Sequence, residues 1–129
     1  MILDTTFLID LLKNDAGAAQ KAKELFNSCE DFFITPISVF ELWQGEEDLA
    51  DKRKKDKILE LLTSIGHLDF DFSSAKLAGK IYRELRNKGQ LVQAEDTMIA
   101  GIALQHNEAV LTRNTKDFSK IGGLRVESY

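Results

Sequence analysis

Asp31-Phe32-Phe33-Ile34-Thr35-Pro36-Ile37-Ser38-Val39-Phe40-Glu41 reads as a short strand running directly into a helix. Aromatic and β-branched residues favour the pleated conformation from Asp31 to Thr35. Thr35 then suits a helix cap, and Pro36, with its fixed φ and missing N–H, suits the first helical position. The same alternation recurs on both sides of this stretch. Met1 to Asp4, Gly66 to Phe70, Ala109 to Thr112 and Leu124 to Glu127 are further short apolar runs bounded by turn or helix-start residues. Between them lie runs of helical period. One spans about Leu49 to Ile65 and carries Ile58, Leu61, Leu62 and Ile65. Another, about Ser73 to Lys88, places Ala75, Ala78, Ile81, Tyr82 and Leu85 on one face, with Ser73 or Ser74 as cap and Gly89 as stop. Five short strands alternating with helices predict an α/β fold, a parallel sheet crossed over by helices. The only proline is Pro36, and neither a repeat nor a Pro-, Gly- or Ser-rich linker interrupts the pattern, so the 129 residues are expected to form a single domain.

Composition narrows the function classes. Twenty-one acids against seventeen bases give a net charge of −4, which argues against the general basic coat that holds a protein on nucleic acid. Any handling of nucleic acid has to pass through local patches and a metal. The single cysteine, Cys29, excludes an intrachain disulfide, and no Cys/His zinc pattern can be built around it. Met1-Ile2-Leu3 meets Asp4 with no basic segment followed by an apolar one, and no stretch reaches the ~20 apolar residues of a membrane span. A cytoplasmic protein without a membrane partner is expected.

The informative residues are acids whose neighbours are apolar. Asp4 follows Ile2-Leu3 at the carboxyl end of the first strand, the edge where open α/β sheets bind ligands; a helix cap for Thr5 onward is the alternative. Glu41 lies four residues after Ile37 and one after Phe40, which places it on their inward arc or, in the ordinary reading, at a stripe edge reaching for water. Asp96 opens a helix whose apolar stripe is Ile99, Ala100 and Ala103, a position that helix-dipole complementation also explains. Asp117 sits in the polar loop Thr112-Arg113-Asn114-Thr115-Lys116-Asp117-Phe118 after the fourth strand, where an Asx-turn is common. In a doubly wound layout these four positions converge on one sheet edge. Four carboxylates there would repel one another when empty and be stabilised by a divalent cation. Oxygen ligands without His or Cys favour Mg2+ or Mn2+ over zinc.

Together the segments Ile2-Leu3-Asp4-Thr5-Thr6, Ser38-Val39-Phe40-Glu41-Leu42, Glu95-Asp96-Thr97-Met98-Ile99-Ala100 and Leu111-Thr112-Arg113-Asn114-Thr115-Lys116-Asp117-Phe118 resemble the PIN-domain family, closest in order and spacing to its VapC-type toxins. The resemblance implies an α/β/α sandwich with a five-stranded parallel sheet. It also implies an Mg2+- or Mn2+-dependent endoribonuclease, often dimeric and restrained by a cognate antitoxin. By position Asp4, Glu41, Asp96 and Asp117 match the family's acidic metal-binding quartet. Thr112 matches a supporting hydroxyl, Thr6 stands where Ser or Thr is common, and Asn114 lies in a loop that often contributes to the site. Gly101 departs from the usual alanine, and the fourth acid is the family's least constant position.

On this reading a metal-activated water attacks an RNA phosphate, and no side-chain nucleophile is needed. Arg113 and Lys116 flank Asp117 and are the RNA contacts expected, ahead of the basic runs Lys52 to Lys57 and Lys80, Arg83, Arg86 and Lys88, which read as solvated helix faces. His106 reads as a charge complement at a helix end. An aspartyl-nucleophile phosphatase would want a second Asp where Thr6 stands, and a receiver domain would want paired acids after the first strand. The remaining alternative is a catalytically silent PIN-like protein-interaction module. On the helix after Pro36, Ile37, Phe40, Glu41 and Gln44 form one arc and Val39, Leu42, Trp43 and Glu46 the next, so the apolar surface is wider than one core-facing stripe needs. Phe40 and Trp43 are therefore expected to meet an antitoxin, burial of Trp43 in the core being the other reading.

Overall fold

The computed structural model describes residues 1–28, 30–45 and 52–129, and of Lys54 the backbone alone. Cys29, Glu46 and the start of the helix expected from Leu49 lie outside the described residues. Five short strands, β1 (Ile2–Leu3), β2 (Phe33–Ile34), β3 (Gly66–His67), β4 (Ala109–Leu111) and β5 (Arg125–Glu127), form one sheet of order β3-β2-β1-β4-β5. Every pairing is parallel. Seven helices are described: α1 (Thr5–Leu12), α2 (Ala16–Phe26), α3 (Pro36–Gln44), α4 (Lys52–Ser64), α5 (Phe72–Asn87), α6 (Ala94–His106) and α7 (Thr115–Phe118).

Side chains that alternate along a strand point to opposite faces, and the sheet uses both. Leu3, Ala109 and Leu111 face a core with Phe7 and Leu8 of α1, Ala18 and Leu25 of α2, Leu42 of α3 and Ile58 and Leu62 of α4. Ile2 and Val110 face the other core, with Ile81 and Leu85 of α5, Ile99, Ala100, Ile102 and Ala103 of α6, and Phe118 of α7. Helices on both faces make the expected α/β/α sandwich.

Register then fixes the site. Ile2 pairs with Val110 and Leu3 with Leu111, so the next residues, Asp4 and Thr112, emerge side by side at the carboxyl ends of the two central strands. The Asp4 amide still bonds the Leu111 carbonyl at 3.0 Å, and the Thr112 amide bonds Glu127 at 3.0 Å. The backbone holds both residues before their side chains act.

Several local expectations are corrected. α5 starts one residue before Ser73, and its cap is Asp71, whose side chain accepts from the Ser74 amide. Its buried stripe is Ser74, Ala78, Ile81 and Leu85, while Ala75 and Tyr82 face solvent. On α3, capped by Thr35 with Pro36 at its start, the buried residues are Ser38 and Leu42; Phe40 points out, and Glu41 lies half-buried at the boundary. The loop after β4 contains one helical turn, α7. Gly101 replaces the alanine of the family pattern for a visible reason: a Cβ there would lie 2.5 Å from the Ser74 carbonyl oxygen and 3.1 Å from the Ala78 Cβ. The close crossing of α5 and α6 requires glycine.

Candidate functional site

Asp4 stands at the N-cap position of α1, yet its side chain makes no cap bond. Instead Oδ2 accepts from the hydroxyls of Thr6 and Thr112, each at 2.7 Å. The residue is only 3% exposed, and removing a carboxylate from water to that extent costs several kcal/mol unless hydrogen bonds compensate. Two hydroxyl donors to the one carboxyl group supply that compensation. Both converge on one oxygen, so neither competes for Oδ1.

Glu41 reaches in from α3 and accepts a short hydrogen bond from the Thr5 hydroxyl. Burial pushes its carboxyl above the usual range, the Thr5 bond opposes this, and the charges of Asp4 and Glu95 add to it. Asp96 lies in the first turn of α6, which begins at Ala94 with Gln93 in the cap position. Its pKa rises to about 7, first through burial and then through the charges of Asp4, Glu41, Asp117 and Glu95. The helix N-terminus would by itself favour the ionised form, so burial and the neighbouring acids together outweigh it. Asn114 donates from Nδ2 to Asp96 Oδ2 at 3.2 Å, and its amide donates to Thr112 Oγ1 at 2.9 Å.

Asp117 belongs to the same field but differs in kind. Lys120, three residues on, donates to its Oδ1 and to the Leu91 carbonyl at 3.2 Å, and this ion pair is the main reason its carboxyl lies below the usual range. Asn114 and the charge of Lys116 act in the same direction. Among the described residues, the bonds of Asp4, Glu41 and Asp96 come from hydroxyls and an amide, whereas Asp117 is neutralised within the chain by Lys120. No three acids, His or Cys among the described residues are grouped closely enough to hold a metal ion between them.

The flanking basic residues diverge. Lys116 is exposed beside Asp117. Arg113 turns away from the acids: its guanidinium lies 3.0 Å from Asp10 Oδ2, 3.3 Å from Asp15 Oδ1 and 5.4 Å from the Tyr129 ring centre. Thr5, Glu95 and Lys120 are the site residues that the sequence reading missed. Glu95 adjoins Asp96 and Thr5 adjoins Asp4, so adjacency was the available signal for both. His106 closes the last turn of α6, as expected for a charge complement.

The doubly wound sheet with acids gathered at the carboxyl ends of its central strands defines a class of α/β protein with an anionic site at the switch point. Within that class the model of the PIN domain matches residues 1–124, and the chain belongs to the PIN-domain family. Its relatives sharpen the placement. A protein of Shigella flexneri named tRNA(fMet)-specific endonuclease VapC is 32% identical, the match covering 99% of this chain and 96% of that one. Its namesake in Salmonella typhimurium is 33% identical over the same shares. The crystal structure of DNA-bound VapBC from Salmonella typhimurium superposes with a TM-score of 0.85 at 30% identity, covering 98% of this chain and 96% of that chain.

Proposed function

We propose that this chain is, as a single cytoplasmic domain, a Mg2+- or Mn2+-dependent endoribonuclease and the toxin half of a toxin–antitoxin pair. One observation carries the reading: Asp4, Glu41, Asp96 and Asp117 converge at the carboxyl ends of the central strands, where burial and then the charges of Asp4, Glu41, Asp117 and Glu95 raise the Asp96 carboxyl to about 7. An assembly of carboxylates with no nitrogen or sulfur donor is unfavourable until a hard cation joins it. Mg2+ is commonly held by one or two carboxylates and keeps several waters, so its binding does not require a group of three ligands.

We assign Asp4 and Asp96 to hold the cation, with Glu41 and Asp117 completing the negative surround. When bound, it would supply a Lewis acid that lowers the pKa of water and offsets charge on a phosphate. The chain's own residues do the rest. Thr6 and Thr112 fix Asp4, Thr5 fixes Glu41, and Asn114 orients Asp96. Lys116 is the exposed cation placed to meet an RNA phosphate, whereas Arg113 is committed to Asp10 and Asp15. Among the described residues no helix is long and apolar enough to cross a membrane.

For partners we assign a cognate antitoxin and a second copy of the chain. α3 leaves Phe40 56% and Trp43 37% exposed, which favours the surface reading of both. The names of the Shigella and Salmonella relatives make initiator tRNA the first RNA to assay. Titration calorimetry with Mg2+ and Mn2+, and cleavage of that tRNA, should distinguish the wild type from Asp4→Asn, which loses both properties. Equal metal binding by the two proteins would overturn the proposal.

A further inference from the structure

We propose that Tyr129, Asp10 and Arg113 form a clasp that positions the site loop after β4, making Tyr129 and Arg113 positioning residues for the nuclease site. This rests on the reading that Asp4 and Asp96 hold the metal. The Tyr129 hydroxyl donates to Asp10 Oδ2 at 2.7 Å, and its ring stands edge-on to Phe7 with centroids 4.9 Å apart. Phe7 is 1% exposed, so the clasp is anchored in the core. Arg113 then approaches the same Asp10 oxygen at 3.0 Å and Asp15 at 3.3 Å, with its guanidinium 5.4 Å from the centre of the Tyr129 ring. An isolated exposed ion pair contributes little. Here two carboxylates and a ring face share one cation, and the planar guanidinium suits that arrangement in a way an ammonium does not. Burial and the Asp10 carboxylate raise the Tyr129 phenol, which keeps it a donor.

The main chain of Arg113 faces the other way, toward the acids. Its amide donates to Thr6 Oγ1 at 3.2 Å, and that hydroxyl donates to Asp4. Thr112 on one side bonds Asp4, and Asn114 on the other bonds Asp96. Asn114 occupies the cap position of α7 but makes no side-chain cap bond, so its amide group is directed to Asp96 and α7 gains no capping bond from it. The residue held by the clasp thus lies between the two loop residues that touch the acids, one from each.

Tyr129→Phe keeps the ring and removes the donor; Arg113→Lys keeps the charge and removes the planar fork. In the metal-free protein, each should speed hydrogen exchange at the Arg113 and Asn114 amides by about three- to tenfold, the scale of one charge-assisted bond at a part-exposed site. Each should weaken Mn2+ binding and lower kcat on RNA, leaving KM unchanged. Unchanged exchange at both amides in either folded variant would overturn the clasp, whether or not the wild type cleaves RNA. A rise in KM with kcat and exchange unchanged would also overturn it, assigning Arg113 to RNA contact instead. If the amides loosen but the wild type neither binds Mn2+ nor cleaves RNA, the clasp stands and the nuclease reading falls.

Discussion

Replacing Asp96 by Asn should cost the protein its proposed activity and make the metal-free fold more stable. The Asp96 carboxyl has a pKa of about 7 in the folded chain against 3.8 ordinarily. The folded state therefore holds this proton more tightly than the unfolded state does. Its stabilising contribution is complete below about pH 4, drains away as pH rises to about 7, and stays lost above that. A shift from 3.8 to about 7 would correspond to about 4 kcal/mol at full strength. Asp96 is only partly buried, so solvent screening reduces this to roughly 1–2 kcal/mol. Asn is nearly isosteric, keeps an acceptor for the Asn114 side chain and carries no charge for its acidic neighbours to repel. With chelator present at pH 8, Asp96→Asn should melt roughly 3–10 °C above the wild type for a chain of this length. At pH 4 the two should coincide. Added Mn2+ should stabilise the wild type and not the variant, and RNA cleavage by the variant should fall by orders of magnitude. Thermal unfolding across pH 4 to 8 would refute the reasoning if the variant were the less stable protein at pH 8, or if the difference did not change with pH. Either result would show Asp96 to be favourably paired, not repelled.

Gly101→Ala should destabilise the fold by roughly 1–3 kcal/mol, because the new Cβ meets the Ser74 backbone oxygen at 2.5 Å and backbone yields poorly; denaturant unfolding with an unchanged m-value would measure it, and a neutral result would show that α5 and α6 can separate freely. Trp43→Ala should leave thermal stability within about 1 kcal/mol of the wild type, since its ring is 37% exposed, yet abolish copurification with an antitoxin co-expressed from the neighbouring reading frame; undiminished capture by the folded variant would remove Trp43 as an anchor.

The sheet was legible because its signals are local. β1, β2 and β4 are short apolar runs, β3 (Gly-His) and β5 (Arg-Val-Glu) each have apolar residues beside them, and Thr35-Pro36 marks the start of α3 by side-chain chemistry alone. The first two helices gave no such signal: α1 is apolar on most of its surface, and α2, Ala-Gly-Ala-Ala-Gln-Lys-Ala-Lys-Glu-Leu-Phe, buries only Ala18 and Leu25. α7 is a single turn inside a polar run, too short for periodicity to show. Asp4, Glu41 and Asp96 stand out because each interrupts an apolar pattern, whereas Asp117, in a polar loop, is indicated by its position after the fourth strand. Of the residues that support them, Thr6, Thr112 and Asn114 were pointed to by the family resemblance and bond Asp4 and Asp96, whereas other contacts join distant parts of the chain with no local signal: Thr5 to Glu41 across 36 positions, Tyr129 to Asp10 across 119. Arg113 shows the limit of adjacency. Being near Asp117 in sequence placed its main chain at the acids, while the direction of its side chain was decided by Asp10, Asp15 and Tyr129.

Lys120 gives the quartet its asymmetry, and that asymmetry bears on how such a site is kept foldable without its cation. Four unpaired carboxylates at one sheet edge would raise one another's pKa values and erode the stability of a small domain. Asp4 is kept in place by two hydroxyls, Glu41 by one, and Asp117 by an ammonium that also bonds the Leu91 carbonyl in the segment leading to α6. Among the described residues Asp96 is left with a single neutral amide at 3.2 Å, and the larger part of the unfavourable energy collects there. On the proposed reading this is the useful place for it. A cation entering the site relieves the repulsion at Asp96, so part of its binding energy comes from a strain the fold already carries. That gain grows as pH rises toward 7 and the competing proton leaves.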